Sequence, residues 1–138
     1  MQAAKFKTRR FTMPFTQISL LKGKSLDYRR DLMEEVYLAM RDSINIPEND
    51  RFATITELED GNFNNSGDYL GINRSDDIVY IQITLNGGRT SDKKKALYAK
   101  IAERLQAKLG IRTEDIVISL LEVSPEDWSL GNGEAQYA

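Results

Sequence analysis

The feature that most constrains this chain is an internal repeat. Residues 17–58 align with residues 82–123 at a constant offset of 65 positions and without a gap. Identical residues are spread along the whole alignment, at Gln17/Gln82, Ile18/Ile83, Leu20/Leu85, Gly23/Gly88, Asp27/Asp92, Leu32/Leu97, Ile46/Ile111, Asp50/Asp115 and Glu57/Glu122. A match of this length indicates two copies of one structural unit, so the fold must use that unit twice.

The first copy is predicted to be a strand, a helix and a second strand. An extended run over 14–21 is followed by Ser25, a residue type that caps helices, and by apolar residues at four-residue spacing that predict an amphipathic helix. The helix should end near residue 45, since Pro47 forbids its continuation. The second strand is predicted over 51–58.

The second copy repeats this pattern. A strand is predicted over 77–85, and Thr90 or Ser91 is expected to cap a helix that ends at Gly110. The last strand is predicted over 116–123. Residues 59–76 join the copies and are rich in Asn, Gly, Asp and Ser, which predicts a loop with a short hairpin around 63–70.

Two β-α-β units with right-handed crossovers predict an α/β (α+β) fold, a four-stranded mixed sheet with both helices on one face. The predicted domain covers 14–138, with repeats over 14–58 and 79–123 and a tail over 124–138, and the basic segment 1–13 lies outside it. The face of the sheet away from the helices should carry four apolar side chains among small polar ones: Phe52, Val117, Leu121 and Val123. Such a face is typical of a subunit interface, so we expect a homo-oligomer.

Composition limits the chemistry that the chain can perform. It has no cysteine and no histidine, which excludes disulfides, thiol nucleophiles, imidazole bases and the usual zinc sites. The bases left near neutral pH are carboxylates, a lysine of lowered pKa and the chain's α-amino group. We predict neither a metal nor a cofactor.

The charge distribution and the hydropathy bear on partners and location. Four of the 19 basic residues lie in 1–13 without an acidic residue, so the rest of the chain has a net charge of −6, which argues against nucleic-acid binding. No apolar run approaches the roughly 20 residues of a membrane helix. The basic segment lacks the apolar core of a secretory signal, so a cytoplasmic location is expected.

Several segments together resemble a known superfamily. These are Met13-Pro14 at the first strand, residues 46–52, the strand and turn over 81–89, and the tail from Asp127 to Tyr137. They resemble the tautomerase superfamily, with its MIF-like fold and catalytic amino-terminal proline, and in particular the branch typified by malonate semialdehyde decarboxylase. The resemblance covers 14–137 and implies a homotrimer that acts on a small carboxylate.

Pro14 is the first candidate catalytic residue. As an amino terminus it would carry a secondary amine whose pKa an apolar pocket and a nearby cation lower towards neutrality, which suits a general base. With residues 1–13 attached, its nitrogen is a tertiary amide without useful basicity. The interpretation therefore requires translation to start at Met13, or the removal of 1–13. Alternatively, Pro14 only begins an edge strand.

Arg89 is the candidate substrate-binding residue. It ends the turn Asn86-Gly87-Gly88-Arg89 just before a helix, where free N–H groups and the helix dipole favour an anion and a guanidinium can hold a carboxylate in two hydrogen bonds. The resemblance implies a carboxylate-binding arginine here. Alternatively, Arg89 is a solvated loop residue, like Lys24 at the equivalent position.

The other candidates come from the resemblance. Asp50 matches an acidic residue associated in the decarboxylase branch with activating water or substrate, but its counterpart Asp115 favours a structural role for both. The resemblance implies that Trp128, Leu130 and Tyr137 line the pocket; alternatively, these aromatic and apolar side chains only cover the core.

The expected function is that of a proline-dependent tautomerase for the keto-enol interconversion of a 2-keto acid. The alternative is a lyase that resembles malonate semialdehyde decarboxylase or a haloacrylate hydratase. Those enzymes have a second arginine a few residues earlier in the turn, where this chain has residues 86–88, and the difference favours simple proton transfer. If Pro14 stays blocked, a non-catalytic oligomeric binding protein is expected instead.

Overall fold

The computed structural model describes residues 14–138 and contains the two predicted β-α-β units. In chain order the elements are strand β1 (Phe15–Leu21), helix α1 (Leu26–Ile44), strand β2 (Ala53–Leu58), strand β3 (Val79–Asn86), helix α2 (Ser91–Leu109) and strand β4 (Ile116–Val123). Segment 1–13 lies outside the described residues, so its separation from the fold stays a prediction. Among residues 14–138, no helix combines the length and the apolar character needed to cross a bilayer.

The helices begin and end where the sequence predicts. The Ser25 hydroxyl accepts a hydrogen bond from the Tyr28 N–H at 3.1 Å, and Thr90, rather than Ser91, caps α2 in the same way. Asn45 and Gly110 end the helices with φ of 58° and 66°, the left-handed conformation that stops a helix. Each repeat thus encodes its helix locally.

The sheet has the strand order β2-β1-β3-β4, with β1 parallel to β2, β3 parallel to β4, and β1 antiparallel to β3. Gln17 of β1 stands opposite Gln82 of β3, and these two residues are counterparts in the repeat. A local twofold axis therefore passes between them and makes the two ends of the sheet equivalent by construction.

The core lies between the sheet and the two helices, which share one face. Counterparts from the two repeats supply it in pairs, all at most 3 % exposed: Leu32/Leu97, Val36/Ile101 and Met40/Leu105. Arg104 of α2 forms ion pairs with Glu35 and Asp42 of α1 at 3.1 and 2.9 Å, which fixes one helix beside the other.

The opposite face of the sheet is bare in the single chain. Val117 and Leu121 of β4 are 36 % and 50 % exposed, and Phe52 beside β2 is 51 % exposed. They lie among polar side chains such as Gln17 and Gln82. This is the mixed face that the sequence predicts, except that Val123 is half-buried.

The prediction of a hairpin around residues 63–70 is wrong. The linker instead forms two 3₁₀ turns, Asp60–Asn62 and Tyr69–Gly71. The Arg74 guanidinium donates to three linker carbonyls, those of Ser66, Tyr69 and Ile72, and so satisfies groups that a strand ladder would otherwise pair. The Phe63 ring stacks on Tyr80 at 4.9 Å, which anchors the linker to β3.

Candidate active site

The topology places one end of each of the six elements at the same end of the sheet. The strands β1 and β2 start there, β3 and β4 end there, α1 ends there and α2 begins there. Pro14, Asp50, Arg89 and Trp128 all lie within a few residues of these element ends. The fold therefore places residues far apart in sequence at one common edge, which we call the Pro14 end.

Pro14 is buried directly before β1. The Thr16 N–H donates to the Phe52 carbonyl at 2.9 Å, and Thr16 pairs with Ala53 in the parallel ladder. Thr16 and Asp50 line the same pocket, so Asp50 lies close to the start of β1.

The segment that carries Asp50 is fastened to α1. The Arg51 guanidinium pairs with Glu34 through two hydrogen bonds of 3.0 and 3.2 Å and lies 4.0 Å from the centre of the Tyr37 ring. The Tyr37 hydroxyl in turn accepts from the Asn49 N–H at 3.2 Å. Asp50, only 5 % exposed, is thus held between two anchored neighbours.

Asp50 lines a largely apolar pocket of about 330 Å³ between α1 and the start of β2. Its walls include Met33, Tyr37 and Met40 of α1 and Thr16 of β1. The Thr16 hydroxyl is buried and has no hydrogen-bond partner among the described residues. A carboxylate and a hydroxyl at the edge of an apolar pocket are typical of small-molecule sites.

Arg89 lies on the other side of the Pro14 end, in the turn between β3 and α2. Its Nη1 donates to the Asn86 carbonyl at 2.9 Å, and burial lowers the pKa of its guanidinium while the nearby Glu122 carboxylate opposes that effect. A guanidinium stays charged even so, and a partly buried cation gains from an anionic ligand. Arg89 also lines a pocket of about 260 Å³ with Thr90 and Lys93 at the N-terminus of α2, where the helix dipole favours an anion.

Glu122 of β4 balances the charge beside this turn. The Lys94 ammonium lies 2.7 Å from its carboxylate and holds the pKa of Glu122 below its ordinary value. A Cβ added at Gly87 would lie 3.3 Å from Glu122 Oε2, and Gly88 has a φ of 114°. Side chains at positions 87 and 88 are therefore disfavoured by crowding and by backbone strain respectively.

The tail places one of its three predicted wall residues at the site. The Trp128 Nε1 donates to the Asn86 side-chain oxygen at 2.7 Å, which sets the indole on the turn that carries Arg89. Leu130 is 36 % exposed and Tyr137 is half-buried, and Gln136 closes this part of the tail on itself through Leu130 and Gly131. The roles of Leu130 and Tyr137 as pocket walls stay predictions.

The equivalent end of the sheet is closed by the chain itself. Asp115, the counterpart of Asp50, is fully buried and accepts two hydrogen bonds of 2.7 Å from the N–H and hydroxyl of Ser75. Lys24, the counterpart of Arg89, pairs with Asp77 at 2.6 Å, which raises the pKa of Lys24. The chain itself thus fills one of the two equivalent ends, and the counterparts in the two repeats differ in their hydrogen-bond partners.

Comparisons with known proteins agree with this architecture. Two family models described as tautomerase enzyme match residues 50–131 and 14–73. The probable tautomerase YusQ of Bacillus subtilis (strain 168) is 43 % identical over 124 residues, which cover 90 % of this chain and 98 % of the relative. YrdN, a second probable tautomerase of that organism, is 29 % identical over 91 % of this chain and 96 % of its own. The chain belongs to the tautomerase superfamily.

Solved structures place the fold more narrowly. A malonate semialdehyde decarboxylase, described with decarboxylase and hydratase activities, superposes with a TM-score of 0.84 at 27 % identity, covering 89 % of this chain and 95 % of its own. FG41 malonate semialdehyde decarboxylase gives 0.83 at 33 % identity, with coverages of 89 % and 93 %. A fused 4-OT described as a symmetric trimer shares the fold, with a TM-score of 0.72 at 20 % identity over 87 % of this chain and 94 % of its own.

The sequence did not predict two features of this site. It marked Asn86 only as a departure from the family, although this residue contacts both Arg89 and Trp128. It also gave no role to Glu122. The first repeat has the identical residue, Glu57, at the equivalent position, so the sequence indicates only a strand position that both copies share. One sequence signal could have identified Asn86. Its amide lies at the end of an apolar strand, and a polar side chain that is buried there needs a hydrogen-bond partner.

Proposed function

We propose that this protein is a tautomerase that interconverts the keto and enol forms of a 2-keto acid, with Pro14 as its amino terminus and general base. The observation that carries the proposal is the convergence of Pro14, Asp50 and a half-buried arginine at one end of the sheet. Membership in the tautomerase superfamily supports the same chemistry.

The proposed reaction needs a base and an anion site. Arg89 and the α2 N-terminus bind the substrate carboxylate. The neutral amine of Pro14 takes the enol hydroxyl proton, the electrons of that O–H bond form the keto C=O bond, the C=C electrons move to the adjacent carbon, and the prolyl ammonium returns a proton to that carbon. Asp50 supplies a polar partner at the pocket edge, and the tail around Trp128 excludes water.

The chemistry requires a free nitrogen on Pro14, so we propose that the active form begins there. One tautomerase model begins its match at residue 14, and Pro14 lies directly before β1. The decarboxylase neighbour is described with a variant in which a proline, its first residue, is replaced by alanine.

We further propose a homotrimer. Its support is the bare face of the sheet, where Val117 and Leu121 are exposed. Burial of such apolar side chains against a neighbouring subunit would be favourable. A trimer is also the assembly named for the fused 4-OT that shares the fold.

The second candidate is decarboxylation of a three-carbon semialdehyde, supported by the two decarboxylase neighbours. Against it stands the turn at residues 86–88, which offers no second cation. Comparison of enol turnover with carbon dioxide release from malonate semialdehyde separates the two reactions.

The test compares three forms of the chain on the enol of an aromatic 2-keto acid, followed by ultraviolet absorbance. The first starts at Pro14 after removal of Met13, the second starts at Met1, and the third carries Pro14→Thr. We expect turnover from the first alone, with a loss of roughly 10²-fold or more in the others. Equal turnover by the first two forms would contradict the proposal, and inactivity of all three would favour a binding protein.

A further inference from the structure

Asn86 contacts Trp128, which lies 42 residues further along the chain, and so joins two parts of the candidate site. It is the last residue of β3 and is 1 % exposed. Its side-chain oxygen accepts the Trp128 indole N–H at 2.7 Å, and its backbone carbonyl accepts from Arg89 Nη1 at 2.9 Å. One buried residue thus contacts both the proposed carboxylate-binding arginine and the tail that covers it.

We propose that Asn86 is a positioning residue for substrate binding, acting through Trp128, an inference that rests on the proposed function. Trp128 follows the short turn Pro125–Asp127 in an otherwise irregular tail. The hydrogen bonds of Gln136 close the tail on itself, whereas the Asn86 bond fastens it to the sheet. The Asn86 side chain therefore sets where the indole lies relative to Arg89.

The neighbours of Asn86 in the turn cannot replace it. Gly87 and Gly88 carry no side chain, and a Cβ at Gly87 would approach Glu122 Oε2 to 3.3 Å. If the side-chain oxygen is removed, the indole N–H regains a partner only from water, so the tail is expected to move outwards. Water then competes with the substrate carboxylate at Arg89. Because this loss concerns the binding of the substrate carboxylate at Arg89, the effect should fall on KM rather than on kcat.

Trp128 is the only tryptophan of the chain, so its fluorescence reports on this contact. In the form that starts at Pro14, Asn86→Ala should shift the emission to longer wavelength and raise acrylamide quenching several-fold. We expect KM for the enolic substrate to rise about tenfold, with kcat within about twofold. The matched control is Asn62→Ala, an exposed asparagine of the linker, which should change none of these quantities.

A double-mutant cycle separates positioning from a general structural role. Trp128→Phe removes the donor from the tail without altering the core and should raise KM about as much as Asn86→Ala. In the double variant the loss should be no larger than in either single variant, within about twofold. Losses that multiply would overturn the inference, as would an unchanged KM in Trp128→Phe, which stays decisive even if Asn86→Ala fails to fold.

Asn86→Asp provides the conservative comparison. It retains the oxygen acceptor and should keep the wild-type emission wavelength, while its negative charge beside Arg89 raises KM. Absence of turnover in the wild-type form would count against the proposed function. Normal wild-type turnover, with emission and KM of Asn86→Ala matching those of Asn62→Ala, would overturn the role of Asn86 alone.

Discussion

Replacement of Arg89 by alanine tests the anion site, and its effect can be worked out from the structure. A carboxylate about 4 Å from a guanidinium gains roughly 4 kcal/mol at an effective dielectric constant of about 20. Glu122 and the half-exposed surroundings reduce this gain, so a net value of about 2–3 kcal/mol for a charged hydrogen bond is appropriate. Arg89→Ala should therefore lower kcat/KM by roughly 30- to 150-fold.

The stability of the same variant should change little. It loses one hydrogen bond to the Asn86 carbonyl, but it also removes a cation whose burial is unfavourable, so we expect a change under about 1 kcal/mol in the free energy of unfolding. Arg89→Lys should recover only part of the activity because an ammonium group lacks the planar geometry with which a guanidinium forms two parallel hydrogen bonds to a carboxylate. Enol turnover followed by ultraviolet absorbance, together with urea unfolding, measures both quantities.

The repeat supplies a matched control for this prediction. Lys24 occupies the equivalent position at the closed end of the sheet, where it pairs with Asp77. Lys24→Ala should cost about 0.5 kcal/mol of stability and leave kcat/KM unchanged. Equal kinetic losses in Arg89→Ala and Lys24→Ala, or unaltered kinetics in Arg89→Ala, would refute a role of Arg89 in binding the substrate.

Three further predictions concern assembly, stability and pH. Leu121→Asp places a charge on the bare face and should reduce the sedimenting mass from about three times the 15.7 kDa chain to a single chain, whereas Gln106→Asp on an exposed helix face should not. Asp115→Ala removes two hydrogen bonds that Ser75 donates to a buried carboxylate and should lower the free energy of unfolding by about 3 kcal/mol in urea with kcat/KM preserved; a loss under about 1 kcal/mol would contradict its structural role. Because Lys94 lowers the pKa of Glu122, their pair stabilises the fold above the ordinary carboxyl pKa of 4.5 and ceases to do so as the pH falls through the lowered pKa. Glu122→Gln should accordingly flatten the fall of Tm in that acidic range, and an unchanged Tm profile would count against the pair.

The fold was predictable because the sequence signals for its helices and strands are local and occur in both repeats. Ser25 and Thr90 cap helices through contacts three residues away, and Asn45 and Gly110 stop them through their own backbone conformation. The repeat then limited the topology, since two copies of one β-α-β unit with right-handed crossovers can form a single sheet in only a few strand orders. The superfamily resemblance is confirmed by the matches to tautomerase models and relatives.

The candidate site was predictable only in its position. The sequence named Pro14, Asp50 and Arg89 one by one, and the topology explains why they lie at the same end of the sheet. The bond between Asn86 and Trp128 was not, because an irregular tail carries no periodic signal that specifies its contact on the sheet. The hairpin predicted in the linker is wrong for a similar reason. Composition alone indicates a hairpin there, but the Arg74 side chain donates to backbone carbonyls that a hairpin would pair with a neighbouring strand.

The pH dependence of kcat/KM in the form that begins at Pro14 tests the central claim most directly. The neutral amine is the proposed base, and burial together with a cation at the same end of the sheet, for which Arg89 is the candidate, should lower its pKa. The profile should therefore rise through an apparent pKa near neutrality, well below that of an unperturbed prolyl amine, and the rise should disappear in Pro14→Thr. A rise that follows a carboxyl group below about pH 5, or the same profile in the form that retains residues 1–13, would contradict the claim.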